Sequence, residues 1–245
     1  MQAIVLAGGL GTRLHPYTEM TPKPLLPLAG TPIIDIILYQ LNASGCDHVT
    51  LALFHRAEQI RVHVGDGARY GLEVDYSVAD RLLGTAGPLA LVARPLEPCL
   101  VLNADVLTDL DFGSVMAHHQ ARGAAATVVL CRYAVEVPFG VVEVSSEDLI
   151  QRYQEKPTIE ALINSGIYVA DPLAWDKIPA GQYMDMPELI DKGIRKGHDI
   201  TTYRHTGEWY DIGTIDSYHR CQRIFAENRS RFLPYAASQS GPVAI

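Results

Sequence analysis

The stretch Ala3-Ile-Val-Leu-Ala-Gly-Gly-Leu-Gly-Thr-Arg13 decides the fold class, because it places a glycine-rich loop directly after a short apolar run. The run at 3–6 predicts a buried strand. Glycines at positions 8, 9 and 11 carry no Cβ atoms, so that backbone N–H groups can converge on an anion. The stretch therefore predicts a strand followed by an anion-binding loop, as found in α/β proteins.

Two familiar phosphate-binding motifs do not fit this loop. A P-loop ends in Gly-Lys-Ser/Thr, whereas this loop ends in Gly-Thr-Arg, and a dinucleotide fingerprint needs a third glycine where Leu14 stands. Downstream, Lys23 lies between Pro22 and Pro24, which fix the local backbone and hold the lysine in one direction. Arg13 and Lys23 beside a group of backbone amides indicate a triphosphate site of another geometry.

The apolar patterning beyond the loop predicts alternating strands and helices, followed by a change of character. In the first half, strands are predicted at 49–54, 74–78 and 99–102, and helices at 33–44, 58–64, 85–93 and 112–122. In the second half, strands are predicted at 126–133, 140–144 and 163–170, and helices at 187–196 and 215–228. This order predicts an α/β fold with a mainly parallel twisted sheet, helices on both faces and added antiparallel strands in the second half. We expect one domain over 1–228 and a peripheral C-terminal tail over 229–245.

Composition excludes several classes of protein. The 245 residues carry 20 Lys+Arg against 28 Asp+Glu, a formal charge of −8, and 48% are hydrophobic. This balance argues against disorder, and the acidity argues against nucleic acid or an anionic membrane as a partner. The four cysteines, Cys46, Cys99, Cys131 and Cys221, are scattered among apolar residues, which favours buried reduced thiols over disulfides or a zinc site. With no apolar run of membrane length and no basic leader, we expect a cytoplasmic protein.

Two aspartates stand in contexts that suit a metal. Asp105 follows the apolar run at 100–102, at the carboxyl end of a predicted strand where ligands gather in parallel sheets, although an aspartate there also caps turns. Asp211 lies in Trp-Tyr-Asp-Ile-Gly, an apolar context in which an unpaired carboxylate is costly. Two carboxylates completed by phosphate oxygens are a ligand set that Mg²⁺ prefers.

Gly8-Gly-Leu-Gly-Thr-Arg-Leu-His-Pro-Tyr-Thr18 followed by Pro22-Lys-Pro-Leu-Leu-Pro27 resembles the signature of the sugar-1-phosphate nucleotidyltransferases, or NDP-sugar pyrophosphorylases. The resemblance implies the Rossmann-like GT-A-type fold, in the short single-domain form without the C-terminal β-helix of many relatives. It also implies that Arg13 and Lys23 are catalytic. The nucleotide-binding residues that it implies are Leu6, Gly8, Gly9, Gly11, Thr12, Gly84 and Thr85.

The same resemblance extends to the second substrate and the metal. Asp105 and Asp211 match the family's Mg²⁺ positions. Glu155-Lys156-Pro resembles the sugar-phosphate segment, which implies that Lys156 binds the phosphate while Glu155 and Asn164 bind sugar hydroxyls. Gly140 matches a glycine whose backbone touches the sugar.

The implied reaction is attack by a sugar 1-phosphate on the α-phosphorus of an NTP, assisted by Mg²⁺, giving an NDP-sugar and pyrophosphate. The block Leu83-Gly-Thr-Ala-Gly-Pro-Leu89 is closest to guanylyltransferases of the GDP-mannose type, which favours GTP, with UTP or dTTP as alternatives. Ala79 departs from the Glu or Gln that many relatives carry, which leaves the nucleobase open. A catalytically silent NTP- or NDP-sugar-binding regulatory relative is the alternative function. The sequence is compatible with a monomer or a homodimer.

Overall fold

A computed structural model describes residues 1–233 of the chain, in which a central sheet of seven strands is accompanied by two-stranded pieces. The strands are β1 (Gln2–Leu6), β2 (Pro27–Leu28), β3 (Thr31–Pro32), β4 (His48–Leu53), β5 (Glu73–Val78), β6 (Cys99–Asn103), β7 (Val106–Thr108), β8 (Ala126–Glu136), β9 (Val141–Val144), β10 (Ile150–Gln154), β11 (Thr158–Ala170), β12 (Ile200–His205) and β13 (Trp209–Asp211). The helices are α1 (Ile33–Ala43), α2 (Ala57–Val64), α3 (Phe112–Arg122), α4 (Met186–Arg195), α5 (Ile215–Glu227) and α6 (Arg229–Phe232).

The central sheet has the strand order β12-β8-β11-β6-β1-β4-β5. β1 runs parallel to both β4 and β6, β5 runs parallel to β4, and β12 runs parallel to β8. Only β11 is antiparallel to its two neighbours in this sheet. The predicted mainly parallel sheet with antiparallel additions in the second half is confirmed. The glycine loop lies where β1 ends, beside the carboxyl ends of β4 and β6.

Successive side chains of the central strands point to opposite faces of the sheet and pack into two hydrophobic cores, one on each face. Ala3 and Val5 of β1 belong to the larger cluster, which includes buried residues of α1, α2, α3 and α5. Ile4, between them, points to the smaller cluster, which includes Met186 and Leu189 of α4. Helices therefore cover both faces, as the period-two pattern of buried central strands requires.

The predicted helix at 85–93 is wrong. The chain there forms only a 3₁₀ turn, Gly87–Leu91. The backbone N–H groups of Ala86 and Gly87 donate to the carbonyl oxygen of Met184, at 2.9 and 3.0 Å, and the N–H of Met184 donates to Leu83. These bonds tie the loop to the chain that leads into α4, and this tertiary contact outweighs the local helical pattern.

Residues 229–233, which the sequence pattern assigned to the tail, pack against the larger core. Arg229–Phe232 forms α6, and Phe232 and Leu233 are only 1% and 3% exposed in the larger core. The rings of Phe225 and Phe232 lie 6.2 Å apart, so that apolar burial ties α6 to α5. The remainder of the predicted tail, 234–245, lies outside the described residues.

The cysteines are free and buried, as predicted. Burial raises the pKa of Cys46 to about 11 and that of Cys99 to about 12, which keeps both as thiols at neutral pH. Within residues 1–233, none of the helices combines the length and the apolar character needed to cross a bilayer.

One buried amide links three elements that support the end of the sheet. The side chain of Gln40 in α1 is 8% exposed, and its Nε2 donates to the carbonyl oxygens of Thr108 in β7 and Phe232 in α6, at 2.7 and 2.8 Å. The amide therefore satisfies two buried acceptors at once and fixes β7 against both helices.

We expect Gln40→Leu to lower the free energy of unfolding by about 2 kcal/mol or more, because two buried carbonyl groups lose their donor. Asn42→Leu is the matched control, since Asn42 on the same helix donates to Gly71 at an exposed position. Urea unfolding of both variants measures the difference. Equal stability of the two variants would contradict the structural role of Gln40.

Candidate functional site

The glycine loop and the turn after it form the first wall of the site. Gly11 has a φ of 66°, and a Cβ atom there would lie 2.9 Å from Cγ2 of Thr18. The hydroxyl of Thr18 donates to the carbonyl oxygen of Gly11 at 2.8 Å, which locks the loop in this shape. The following turn, Thr12–Leu14, buries Leu14 and leaves Arg13 exposed. Only glycine fits position 11 without strain, and its turn directs Arg13 toward the site.

Lys23 is held as its flanking prolines predict, and its partner is Asp105. Lys23 begins a single 3₁₀ turn, Lys23–Leu25. Its Nζ lies 2.6 Å from Oδ2 of Asp105, and the side chains are 10% and 31% exposed. A pair this short and this shielded from solvent is stronger than a surface ion pair. The structure therefore brings together a predicted catalytic cation and a predicted metal ligand.

A short antiparallel pairing brings the two predicted metal ligands together. β13 pairs with β7 so that Asp211 lies opposite Val106, and the N–H of Ile212 donates to the carbonyl oxygen of Asp105 at 2.9 Å. A Cβ atom at Gly213 would collide with the carboxylate of Asp211. A side chain at position 213 would therefore displace the carboxylate of Asp211 from its present position.

The charges around Asp211 confirm its proximity to Asp105. Desolvation raises the pKa of Asp211, the negative charge of Asp105 raises it further, and the cations Lys23 and Arg13 partly offset the rise. The four predicted charged residues are thus close enough to influence one another electrostatically. The site therefore combines two cations with two anions, whereas the chain as a whole is acidic.

Two cavities open on either side of Asp105. The first has a volume of about 260 Å³, and its lining includes Leu6, Gly8, Gly9, Lys23, Ala79 and Gly84. The second has a volume of about 390 Å³, and its lining includes Arg13, Asn164, Tyr168, Trp209 and Asp211. Both cavities share Thr85, Asn103, Asp105 and Asp185 in their linings. The arrangement offers room for two polar molecules that meet at Asp105.

Asp185 is a lining residue that the sequence did not reveal. Its Oδ1 accepts from the backbone N–H of Thr85 at 3.0 Å, and its Oδ2 accepts from the hydroxyl of Tyr183 at 2.8 Å. The hydroxyl of Thr85 in turn accepts from the N–H of Met186 at 2.8 Å, at the start of α4. An aspartate at a helix start is typical of an N-cap, yet this side chain makes no capping hydrogen bond. No local signal in the sequence distinguishes this carboxylate, which lines both cavities, from an ordinary helix cap.

Asn164 reaches the second cavity because β11 is irregular. The register of β11 against β8 shifts between Asn164 and Tyr168. The Nε1 of Trp209 donates to the carbonyl oxygen of Ser165 at 3.0 Å, which ties this irregular segment to β13. The bulge turns residues of a sheet strand toward the site, as such irregularities commonly do.

Gly140, Glu155 and Lys156 lie on a protruding antiparallel arm, which consists of residues 132–163. The hydroxyl of Tyr153 donates to Oε2 of Glu155 at 3.2 Å, and Gly140 packs against both side chains. Neither cavity described above has any of these three predicted residues in its lining. Between residues 158 and 164 the extended strand covers about 20 Å. These three residues therefore share the arm but line neither cavity at Asp105, and their binding roles stay predictions.

The donor set at Asp105 and Asp211 fits a hard cation with few protein ligands. Among residues 1–233 there is no group of three or more His, Cys, Asp and Glu side chains suited to hold a metal. Desolvation first, and then the negative charge of Asp105, raise the pKa of Asp211, and a divalent cation would relieve the repulsion between the two carboxylates. Mg²⁺ is commonly held by one or two carboxylates with water and phosphate oxygens.

Comparisons with known proteins agree with this geometry. A family model described as nucleotidyl transferase matches residues 2–228. A UTP–glucose-1-phosphate uridylyltransferase from Synechocystis is 32% identical, over 91% of this chain and 63% of its own length. A mannose-1-phosphate guanylyltransferase from Mycobacterium tuberculosis is 33% identical, over 90% of this chain and 63% of its own length. The chain thus spans less than two thirds of these relatives.

Among solved structures, a protein described as a glucose-1-phosphate thymidylyltransferase from Bacillus anthracis is similar with a TM-score of 0.74. It is 25% identical, and the likeness covers 91% of this chain and 95% of that one. The family match over nearly the whole described chain, the shared fold and the glycine loop lead to one conclusion. The chain belongs to the nucleotidyl transferase family.

Proposed function

We propose that this protein transfers a nucleotidyl group from a nucleoside triphosphate to a sugar 1-phosphate, forming an NDP-sugar and pyrophosphate. The observation that carries the proposal is the junction at Asp105, where a cavity walled by the glycine loop meets a second cavity that Arg13 lines. The relatives named as uridylyl- and guanylyltransferases support the same reaction class. The NTP would occupy the first cavity and the sugar 1-phosphate the second.

The reaction needs two polyanions brought together and charge stabilised on the leaving group. A phosphate oxygen of the sugar 1-phosphate attacks the α-phosphorus and forms a new P–O bond. The bond between the α-phosphorus and the bridging oxygen breaks, and pyrophosphate leaves with the electron pair. Such a displacement requires no covalent enzyme intermediate, so that the protein acts mainly by positioning and electrostatics.

Arg13 and Lys23 are the cations that we assign to the triphosphate. The short ion pair with Asp105 fixes Lys23 in the lining of the first cavity, whereas Arg13 lines the second, so that the phosphates of the NTP would extend to the junction of the two cavities. Cations held in place before the reaction stabilise the developing charge of pyrophosphate without reorganisation. By the family resemblance, Lys156 on the arm would neutralise the attacking phosphate, with Gly140, Glu155 and Asn164 at the sugar.

Asp105 and Asp211 would hold Mg²⁺. When bound there, the ion supplies positive charge to phosphate oxygens as a Lewis acid. The chain's own contribution is the β7–β13 pairing, which keeps both carboxylates beside Lys23 and Arg13. Two acids, the ion-paired Lys23 and the exposed Arg13 make the site suited to phosphate groups that arrive with a divalent cation.

For the nucleobase we propose GTP, with UTP and dTTP as alternatives. Leu6, Ala79 and Gly84 line the first cavity, of which Asp211 is not a lining residue. Ala79 carries no polar side chain, so that a base would be recognised by backbone groups of Leu6 and Gly84 and by the shape of this pocket. A cytoplasmic location, where nucleoside triphosphates are available, stays a prediction.

We expect Arg13→Ala to lower kcat for pyrophosphate release by about 10²–10³, because one preorganised charge donor is lost. Arg122→Ala is the matched control, since Arg122 is exposed at the end of α3. Initial rates at saturating substrates measure the effect, and circular dichroism checks that both variants fold. A near-normal kcat for Arg13→Ala would refute the role of this residue.

We expect Asp211→Asn to raise the Mg²⁺ concentration that gives half-maximal rate by about tenfold or more, because a ligand charge is removed. Desolvation and Asp105 raise the pKa of Asp211, so the folded protein disfavours the anion. Its contribution to stability is therefore favourable at low pH and lost as the pH rises past this pKa. The variant should keep or gain thermal stability at neutral pH.

Asp216→Asn provides the control for this metal experiment, since Asp216 lies exposed in the first turn of α5. Rates measured over a Mg²⁺ titration compare the two variants. An unchanged Mg²⁺ requirement in Asp211→Asn would exclude Asp211 as a ligand, whatever the remaining activity.

A further inference from the structure

The part of the arm nearest the sheet is a ribbon of two strands, residues 132–136 of β8 and 158–163 of β11. β12 accompanies β8 only as far as Cys131, which lies opposite His205. β6 accompanies β11 only from Ile167 to Ala170. Within the described residues, therefore, no strand of the central sheet borders either edge of this ribbon.

The side chains of the ribbon fall on two different faces. Tyr133 and Val135 lie opposite Ala161 and Ile159, and this face is apolar. Tyr133, Val135 and Ile159 are 49%, 48% and 51% exposed. A two-stranded ribbon on its own is at best marginally stable in water, and a half-exposed apolar face adds to the cost. The ribbon thus has the properties of a surface that a partner covers.

We propose that a second copy of this chain covers it, by antiparallel pairing of the free edge at 132–136 about a twofold axis through Ala134. In this register Arg132 of each copy lies opposite Glu136 of the other. Tyr133 of each copy lies opposite Val135 of the other. The ribbons then join into one antiparallel sheet of four strands, with the apolar face continuous across it.

The sequence of the edge selects this register. A shift by one residue would place Arg132 opposite Val135 and bring polar and apolar side chains together on both faces. The register centred on Ala134 pairs all five residues, joins opposite charges and keeps the apolar face unbroken. A symmetric pairing of residues 158–163 centred on Glu160 would instead set two like charges opposite each other.

Both charged residues are available for this contact. The only ion pair of Arg132 among residues 1–233 is with Glu160 at 3.9 Å, where the side chains are 79% and 68% exposed. A pair that long and that exposed contributes little. Glu136 is exposed and has no ion-pair partner in the described part of the chain. The edge therefore carries complementary charges that the chain itself leaves largely unused.

Charge reversal on the full chain tests the proposal. Arg132→Glu and Glu136→Arg, each alone, place like charges opposite each other at both symmetric pairs, and each should weaken the dimer by roughly tenfold or more. The double variant Arg132→Glu/Glu136→Arg restores opposite charges and should restore the dimer. Sedimentation velocity over a range of protein concentrations measures the dissociation constant. Hydrogen exchange should show that those alternate amides of residues 132–136 that point to the free edge become protected in the dimer.

Three results would overturn the proposal. The first is a monomer at every concentration, including the case in which the edge amides are protected in the monomer because residues 234–245 cover them. The second is a dimer that neither single reversal weakens. The third is a double variant that remains as weak as the singles, which would show that these residues do not face each other. None of these results depends on the reaction that the protein catalyses.

Discussion

The short antiparallel pairing of β7 with β13 is the constraint on which the site depends. It sets Asp211 opposite Val106 and bonds Ile212 to the carbonyl oxygen of Asp105, so that two distant carboxylates become neighbours. Neither strand exceeds three residues. Two side-chain hydrogen bonds to other elements hold the strands in position. Gln40 donates to the carbonyl oxygen of Thr108 in β7, and Trp209 in β13 donates to that of Ser165. Disturbing the pairing would separate the acids and leave Lys23 without a fixed anion.

The charge balance of the site differs from that of the whole chain. The protein carries a formal charge of −8, which excludes a broad anion-binding surface. At the site, Lys23 pairs with Asp105, and the pKa of Asp211 is raised by desolvation and by Asp105 and lowered by Lys23 and Arg13. An acidic protein can therefore bind phosphorylated substrates, because the fold concentrates its cations where the phosphates would lie.

Sequence patterns predicted the sheet, its mainly parallel character and the glycine loop, because local apolar runs and glycine spacing determine these features. Lys23 could be singled out because proline on both sides is a local signal. The β7–β13 pairing could not be predicted, since strands of three residues carry no usable period and their partners are distant in sequence. Asp185 could not be identified, because its bond to the backbone N–H of Thr85 joins positions 100 residues apart, and the helix at 85–93 failed because hydrogen bonds to Met184 hold that loop in another shape. The direction of the arm depends on irregular backbone at positions such as Lys156, which has a φ of 44°. No residue pattern predicted this backbone conformation.

The most direct measurement is pyrophosphate release by the full chain with Mg²⁺, over a matrix of GTP, UTP, dTTP, ATP and CTP against a panel of sugar 1-phosphates. The account predicts release only when an NTP and a sugar 1-phosphate are both present, with the highest kcat/KM for GTP. Release from an NTP alone would contradict the two-cavity arrangement. Binding of nucleotides by calorimetry, without release in any pair, would identify a silent relative and contradict the account.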